Sequence, residues 1–306
     1  MNPLTSPARQ SVRSADGATT LVVDPLAASL RRLTVNGTDL VEPTDALPGL
    51  PGMAGAILAP WPNRVEGARW WHEGRRHDLD VSEPELGNAN HGLLAARRFD
   101  IVGQDDSGIV LGTQIRHPAG YPFDLDVVVA HRADGTGVAV ATELVNVGTA
   151  RAPAALGAHP YLRLGDRQVG GLRLTVDATH AYRLDERHIP RDRFPVGGTS
   201  SDLRRPTLVA DAPGHLTLMR EDTGAALSHR LTADDGSGLE LWADSAYRWT
   251  QLYRDDAFPS FDGTTRVALA VEPMTAPPNA LRTGEGLRWL EPGERWTVSW
   301  GIRLLR

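Results

Sequence analysis

The sequence predicts an all-β protein, folded as one large antiparallel β sandwich with few short helices. Turn-forming residues recur at short intervals between apolar or alternating runs, and these runs are rich in β-branched residues. No long segment combines helical periodicity with capping residues. The 306 residues leave room for a sizeable core, and without a repeat or a linker we interpret residues 1–306 as a single domain.

In the first half of the chain, the turns Asn36-Gly37 and Glu73-Gly74 each separate two short strands and predict hairpins. The polar residues 1–17 are expected to form a flexible or edge segment. The strands predicted in this half are 28–35, 38–41, 69–71, 77–81, 109–115, 125–131 and 138–145.

In the second half, the apolar run 267–271 is the most informative strand, because a carboxylate and several prolines follow it directly. Pro273 has no N–H to offer a sheet, so we expect the strand to end at Val271. Glu272 then lies at the mouth of a buried strand, where a partly desolvated carboxylate suits a general base. The alternative is that Glu272 simply faces water. The other strands predicted here are 172–176, 239–243, 249–253 and 296–304.

Composition excludes several classes of chemistry and partner. The net charge of −6 and the lack of basic blocks argue against nucleic acid and membrane surfaces. The chain has no cysteine, and its basic residues are all arginine, which excludes thiolate metal sites, cysteine nucleophiles and lysine Schiff bases. The N-terminus lacks a signal-peptide core and no apolar run could span a bilayer, so we expect a cytoplasmic protein.

Several histidines are expected to have no catalytic role. His72 and His77 flank a glutamate as in zinc proteases, but their spacing does not fit one helix face and Glu73-Gly74 predicts a hairpin turn. His117 and His188 are expected to be solvated on the surface.

Three short segments could carry chemistry. Asn90-His91-Gly92 puts an imidazole beside a glycine, where backbone can approach a ligand closely. His159 precedes a proline, which favours an extended conformation. Arg64 lies in the proline-stiffened loop 60–64. Taken singly, each histidine is more often structural, and the arginine could form a surface salt bridge.

Together these segments resemble the aldose 1-epimerase (galactose mutarotase) family, from about residue 20 to the C-terminus. The matching motifs, in the order of that family, are Pro60-Trp61-Pro62-Asn63-Arg64, Asn90-His91-Gly92-Leu93, Gly157-Ala158-His159-Pro160-Tyr161 and Glu272-Pro273-Met274-Thr275. The resemblance implies a galactose mutarotase-like supersandwich with a sugar groove across one face.

The resemblance also implies roles for individual residues. Glu272 would be the general base that takes the proton of the anomeric hydroxyl, and His159 the general acid that protonates the ring oxygen. His91 would assist with a hydrogen bond. The residues expected to contact the sugar are Asn63, Arg64, Tyr161, Gln251 and Trp242, with Trp61 as a second candidate platform. Since mutarotation moves only protons, we expect no metal and no organic cofactor.

The chain departs from the family pattern at three places: Gly214 stands where an aspartate is usual, with Asp211 a candidate substitute, and Ala95-Ala96 and Arg254-Asp255 replace expected substrate contacts.

The function that the resemblance predicts is an aldose 1-epimerase acting on a free small-molecule aldose, as a monomer or homodimer. Two alternatives remain: a hexose-6-phosphate mutarotase that uses Arg97-Arg98, and a carbohydrate-binding sandwich without turnover.

Overall fold

The computed structural model describes residues 9–221 and 224–305 as a strand-rich protein with little helix. The strands of the N-terminal half are β1 (Gln10–Arg13), β2 (Thr19–Asp24), β3 (Ser29–Val35), β4 (Thr38–Asp39), β5 (Ile57–Leu58), β6 (Arg64–Val65), β7 (Arg69–His72), β8 (Arg75–Asp78), β9 (Ala89–Asn90), β10 (Asp100–Asp105), β11 (Gly108–Arg116), β12 (Asp124–Ala133) and β13 (Gly137–Asn146). The strands of the C-terminal half are β14 (Ala152–Ala154), β15 (Gly157–Ala158), β16 (Tyr161–Leu162), β17 (Arg173–Val176), β18 (His180–Leu184), β19 (Pro190–Pro195), β20 (Thr207–Leu208), β21 (His215–Met219), β22 (Leu227–Thr232), β23 (Gly238–Ala243), β24 (Trp249–Pro259), β25 (Thr265–Met274), β26 (Arg288–Leu290) and β27 (Arg295–Leu305).

The helical residues are the single turn α1 (Ala280–Thr283) and three 3-10 turns at Pro51–Met53, Glu66–Ala68 and Val169–Gly171. None of the helices within residues 9–221 and 224–305 has the length and apolar character needed to cross a membrane. The predicted all-β class with few short helices is confirmed.

Two large sheets dominate the fold, and every strand pair in the described part of the chain is antiparallel. A nine-stranded sheet has the order β10–β11–β12–β13–β27–β23–β22–β17–β20. An eight-stranded sheet has the order β19–β18–β21–β24–β25–β15–β5, with β16 also paired to β25. A four-stranded sheet, β1 to β4, and the pairs β6–β9, β7–β8 and β14–β26 complete the architecture. Of the N-terminal segment 1–17, residues 1–8 lie outside the described residues, and β1 forms the edge of the four-stranded sheet.

The core lies between the two large sheets. Leu252 on β24 and Val271 on β25 are fully buried in the same apolar cluster as Leu241 on β23 and Ile302 on β27. Because side chains alternate along a strand, the neighbours of Leu252 and Val271 point to the opposite face of the eight-stranded sheet. That outer face is where polar side chains can gather without disturbing the core.

Both predicted hairpins are present. Asn36-Gly37, with φ of 49° and 79°, connects β3 and β4, and Glu73-Gly74, with φ of 49° and 73°, connects β7 and β8. Two successive positive φ angles give the turn the twist that a tight hairpin needs. The hairpin puts His72 and His77 on paired strands, as expected.

The predicted end of the strand at Val271 is wrong, because β25 continues through Pro273 to Met274. The N–H groups of Val271 and Thr275 donate to Pro160 and Leu156, so the nitrogen of Pro273 faces the same side, toward β15 and β16. Pairing of β24 with β25, including Thr250 opposite Pro273, does not need that nitrogen. The proline is therefore tolerated within the strand, and Glu272 lies inside β25 rather than at its end.

Candidate active site

A cavity of about 230 Å³ lies on the outer face of the eight-stranded sheet. Its floor comes from residues in register on neighbouring strands, and its walls come from the loops before β5, β6 and β16. The lining residues are Gly52, Met53, Asn63, Arg64, Asn90, His91, His159, Tyr161, His215, Gln251, Tyr253, Asp255 and Glu272.

The cavity contains most of the residues singled out from the sequence: Asn63, Arg64, His91, His159, Tyr161, Gln251 and Glu272. Trp242 is not among them, and its expected role as a sugar contact is wrong. It lies on β23 in the nine-stranded sheet, with its ring packed close against Gly301. Trp61 is likewise a core residue, buried beside Tyr121.

Strand register sets the geometry of the catalytic candidates. Gln251 on β24 is directly opposite Glu272 on one side. On the other side, Gly157 pairs with Met274 and Tyr161 with Ala270, so His159 falls opposite Glu272 in the same register. The backbone of His159 is bonded to Gly55 and Ala56 instead of β25.

His159 and Glu272 form a buried acid–base pair. His159 Nε2 lies 3.4 Å from Glu272 Oε1, and the side chains are only 6% and 2% exposed. Burial raises the pKa of Glu272 to about 8, opposed by the charge of Arg64, and burial lowers the pKa of His159 to about 4. His159 Nδ1 and Glu272 Oε2 have no partner in the described part of the chain. Between these two pKa values the pair holds a single proton.

His91 is positioned by strained backbone. His91 and Asn63 have left-handed φ angles of 60° and 56°, and the His91 N–H donates to the Asn63 carbonyl at 3.0 Å. The next residue, Gly92, has no room for a side chain, since a Cβ would lie 2.2 Å from the carbonyl oxygen of Ala59. Glycine is therefore required at position 92, directly after His91.

The hydrogen bonding of His91 fixes its proton. The Asn63 N–H donates to His91 Nδ1 at 3.4 Å, which leaves the proton of the neutral ring on Nε2. Burial and the nearby His159 lower the pKa of His91 well below its ordinary value. Ligand atoms of His91, His159 and Glu272 all lie within 4.8 Å of one another, as in metal sites. With Nδ1 accepting and Nε2 protonated, however, His91 offers no free lone pair, so the donor set does not fit a resident metal.

Arg64 forms the salt bridge that its sequence context suggested, but in the cavity wall instead of on an open surface. It binds Glu83 through two parallel bonds, Nε–Oε2 at 2.9 Å and Nη2–Oε1 at 2.7 Å. Nη1 contacts the side-chain oxygen of Asn63 at 3.4 Å. The guanidinium is thus rigid and largely neutralised, and it can donate to a ligand without offering a free positive charge.

Gln251 and Tyr161 complete the immediate surroundings of the pair. The side-chain oxygen of Gln251 accepts a hydrogen bond from the Thr217 hydroxyl at 2.6 Å, and its amide nitrogen donates one to the Leu252 carbonyl at 2.8 Å. One N–H of the amide is left to donate to a ligand. The ring of Tyr161 stacks on His159 with centroids 5.2 Å apart, and its buried hydroxyl lacks a partner among the described residues. Both side chains can donate to a bound polar molecule.

Sequence reasoning missed His215, Tyr253 and Asp255 as cavity residues. A signal was available: Tyr253 and Asp255 follow Gln251 at the two-residue period of a strand, and His215 pairs with Tyr253. His188, expected on the open surface, is half-buried with its ring centroid 4.2 Å from that of His215.

The three departures from the family pattern were expected at substrate contacts, but only one of them lies in the cavity. Asp255 lines the cavity, but Ala95-Ala96 and Gly214 do not. The space beside Gly214 is occupied by Arg254, whose guanidinium carbon would lie 3.6 Å from an added Cβ. Asp211, the candidate substitute for the missing acid, is exposed and also lies outside the cavity.

Arg97 and Arg98 do not reach the cavity either. Arg98 lies 3.5 Å from Asp24, and Arg97 borders a separate surface groove beside Asp100 and Val102. The cation pair considered for a phosphate is therefore not at this site.

Known proteins share both the sequence pattern and the architecture. The family model for aldose 1-epimerase matches residues 12–303. The uncharacterized protein YihR of Escherichia coli (strain K12) is 29% identical over 286 residues, which is 93% of this chain and 90% of YihR.

Solved structures give the same fold. The GalM/aldose epimerase homologue from C. elegans superposes with a TM-score of 0.83 at 17% identity, covering 98% of this chain and 99% of that one. Galactose 1-epimerase from Lactobacillus acidophilus NCFM has a TM-score of 0.80 at 17% identity, covering 95% and 92%. With the family match extending over nearly its whole length, the chain belongs to the aldose 1-epimerase family.

Proposed function

We propose that this protein is a mutarotase that interconverts the α and β anomers of a free aldose by acid–base ring opening and reclosure. The observation that carries the proposal is the buried pair of His159 and Glu272, 3.4 Å apart in a polar cavity. The reaction needs one acid and one base close enough together to act on the same sugar. Each typically contributes about 10²–10⁴-fold to the rate.

The reaction balances with the one proton that the pair holds. Ionised Glu272 takes the proton of the anomeric hydroxyl, protonated His159 gives its proton to the ring oxygen, and the bond between C1 and the ring oxygen breaks as the C1 carbonyl forms. Rotation about C1–C2 exposes the other face of the aldehyde. On reclosure His159 takes the proton of the open-chain hydroxyl, and Glu272 returns a proton to the carbonyl oxygen.

The pKa values support this cycle. With the pKa of Glu272 at about 8 and that of His159 at about 4, the empty site at neutral pH carries its proton on Glu272. This is the state that follows ring opening. In the other half of the cycle the proton is on His159, and sugar hydroxyls that donate to Glu272 favour this state because they stabilise the carboxylate.

The other cavity residues have supporting roles in the proposal. His91 Nε2–H donates to the ring oxygen or an adjacent hydroxyl, and the free N–H groups of Gln251 and Arg64 bind sugar oxygens. Asn63 holds His91 and Arg64, and Tyr161 keeps the ring of His159 in place by stacking. No step requires a metal or an organic cofactor.

A free sugar fits the site better than a phosphorylated one. Arg97 and Arg98 lie elsewhere, and Glu83 neutralises Arg64, so the cavity offers no unpaired cation among the described residues. A binding protein without turnover would not need a desolvated carboxyl group beside an imidazole, since that arrangement has an energetic cost.

Anomer exchange measured by NMR tests the proposal, with fresh α-D-glucose, α-D-galactose and glucose 6-phosphate as substrates. We expect the protein to accelerate exchange of a free sugar, and Glu272→Gln and His159→Ala each to slow it by at least about 100-fold. His117→Ala, at an exposed histidine, is the matched control and should retain full activity. Sugar binding without faster exchange would favour the binding protein, and acceleration of glucose 6-phosphate alone would favour the phosphorylated substrate.

A further inference from the structure

We infer that Asp255, with Tyr253 and His215, forms a distal subsite that binds the end of the sugar remote from its anomeric carbon. This subsite selects substituents that donate hydrogen bonds, hydroxyl or ammonium groups, over anionic ones. The inference rests on the proposed function and adds the class of substrate.

The first argument is position along β24. Gln251, Tyr253 and Asp255 are two residues apart along β24 and so share the outer face of the sheet, opposite to the core-facing Leu252. Gln251 is beside the catalytic Glu272, while Asp255 is four residues further along, roughly 13 Å between Cα atoms at about 3.3 Å per residue. Both line the same cavity. A sugar with its anomeric carbon at Glu272 therefore directs its far end toward Asp255.

The second argument is a β-bulge that aims Asp255. Asp255 pairs with Ala268, but Phe258 pairs with Arg266, so β24 has one extra residue directly after Asp255. Asp255 Oδ1 accepts the N–H of Ala257 at 2.9 Å, which ties the carboxylate to the bulge. Bulges beside binding sites commonly redirect a side chain. The carboxylate is thus held by backbone, not left as a flexible surface group.

The third argument is charge. Among residues 9–221 and 224–305 no basic group lies within ion-pair distance of Asp255, since the adjacent Arg254 pairs with Asp256 at 3.0 Å. Oδ2 of Asp255 also has no hydrogen-bond donor among these residues, whereas Arg64 is already paired with Glu83. An unpaired carboxylate attracts donor groups and repels anions.

His215 and Tyr253 give this end of the cavity its shape. Their rings are perpendicular with centroids 6.1 Å apart, and the side of Tyr253 is open to solvent. Burial and the neighbouring His188 lower the pKa of His215 to about 3, so the imidazole is neutral and adds no positive charge. The half-exposed ring of Tyr253 and the carboxylate of Asp255 thus give this end of the cavity an aromatic surface and one polar group, the combination found in small-molecule sites.

The test compares Asp255→Asn with the matched control Asp256→Asn, the neighbouring acid that lies outside the cavity. Asparagine keeps an oxygen to accept the Ala257 N–H, so the bulge should persist; circular dichroism and thermal melting check the fold. Anomer exchange by NMR then gives kcat/KM for glucose, 6-deoxyglucose, 6-amino-6-deoxyglucose and glucose 6-phosphate.

For the wild-type protein we expect kcat/KM for glucose and 6-amino-6-deoxyglucose to exceed that for 6-deoxyglucose and glucose 6-phosphate by about tenfold or more. Asp255→Asn should lower kcat/KM for glucose about tenfold, mainly through KM, and raise the ratio of glucose 6-phosphate to glucose at least tenfold. Asp256→Asn should match the wild type. Unchanged ratios in Asp255→Asn would overturn the subsite.

The subsite and the proposed function can fail separately. If the wild-type protein accelerates no exchange, the proposed function is wrong, and the subsite is tested by calorimetric titration of the same sugars. Weaker binding of 6-amino-6-deoxyglucose in Asp255→Asn, but not in Asp256→Asn, would still support the subsite. Equal binding in all three proteins, or no binding of any of these sugars, would refute it.

Discussion

Replacing Glu272 by glutamine separates the burial of this carboxyl group from its proposed role in catalysis. Burial raises the pKa of Glu272 from 4.5 to about 8 in the folded protein. A group whose pKa is raised by folding stabilises the protein fully below its unfolded pKa, and this stabilisation is lost as the pH rises through the folded pKa. The loss for wild-type protein thus develops between about pH 4.5 and 8.

The displacement from 4.5 to about 8, at about 1.4 kcal/mol per pH unit, corresponds to about 5 kcal/mol. Glutamine has almost the same shape and does not ionise, so Glu272→Gln lacks this pH dependence. His159 contributes to both proteins alike. We therefore expect the free energy of unfolding of Glu272→Gln to gain on that of the wild type by up to about 5 kcal/mol between pH 4.5 and pH 9.

Urea denaturation at pH 4.5, 7 and 9 measures this difference, and anomer exchange on the same samples measures catalysis. The expected combination is a variant that is relatively more stable at high pH but at least about 100-fold slower. Parallel curves of unfolding free energy against pH for the two proteins would refute the raised pKa of Glu272. Unchanged exchange would refute its role as the base.

Three further outcomes are expected. The pH profile of kcat/KM should be bell-shaped, with limbs near pH 4 and pH 8, because the pair of His159 and Glu272 must hold one proton; a flat profile across this range would contradict the pairing. Gly92→Ala should lower the free energy of unfolding by more than about 1 kcal/mol, since the left-handed backbone and the carbonyl of Ala59 leave no room for a methyl group, as denaturation can verify. Trp242→Phe should leave anomer exchange within twofold of the wild type, and a larger loss would place the ring closer to the chemistry than β23 allows.

The fold class could be predicted because it depends on local patterns, whereas the candidate site residues were predicted because four short motifs together resemble those of one family. The hairpin at Glu73-Gly74 follows from two residues that accept positive φ. Gly92 also has a positive φ, which glycine accepts readily, although the contact that excludes a side chain there comes from the distant Ala59. At such positions the required backbone conformation selects a particular residue type, which is visible in the sequence.

The errors came from pairing between distant segments. Trp242 was expected at the sugar because aromatic rings suit carbohydrates, but residue type does not reveal which sheet of a sandwich a strand joins. Pro273 was expected to end a strand. A strand tolerates a proline, however, when the proline nitrogen faces a side on which no hydrogen bond to a neighbouring strand is needed. Asp255 was noted only as a departure from a motif, since the bulge that aims it appears only when β24 and β25 are aligned.

The proline inside β25 makes this strand asymmetric in a way that bears on how the site accepts a sugar. Toward β24 the strand is paired in unbroken register from Ala268 to Met274, so the backbone of Glu272 is firmly held on that side. Toward β15 and β16 the pairing is interrupted opposite His159, whose backbone is instead anchored to Gly55 and Ala56. His159 and Glu272 therefore have different backbone supports: Glu272 lies within a long strand pair, whereas the position of the imidazole depends on Gly55 and Ala56 as well as on the two short strands that flank it.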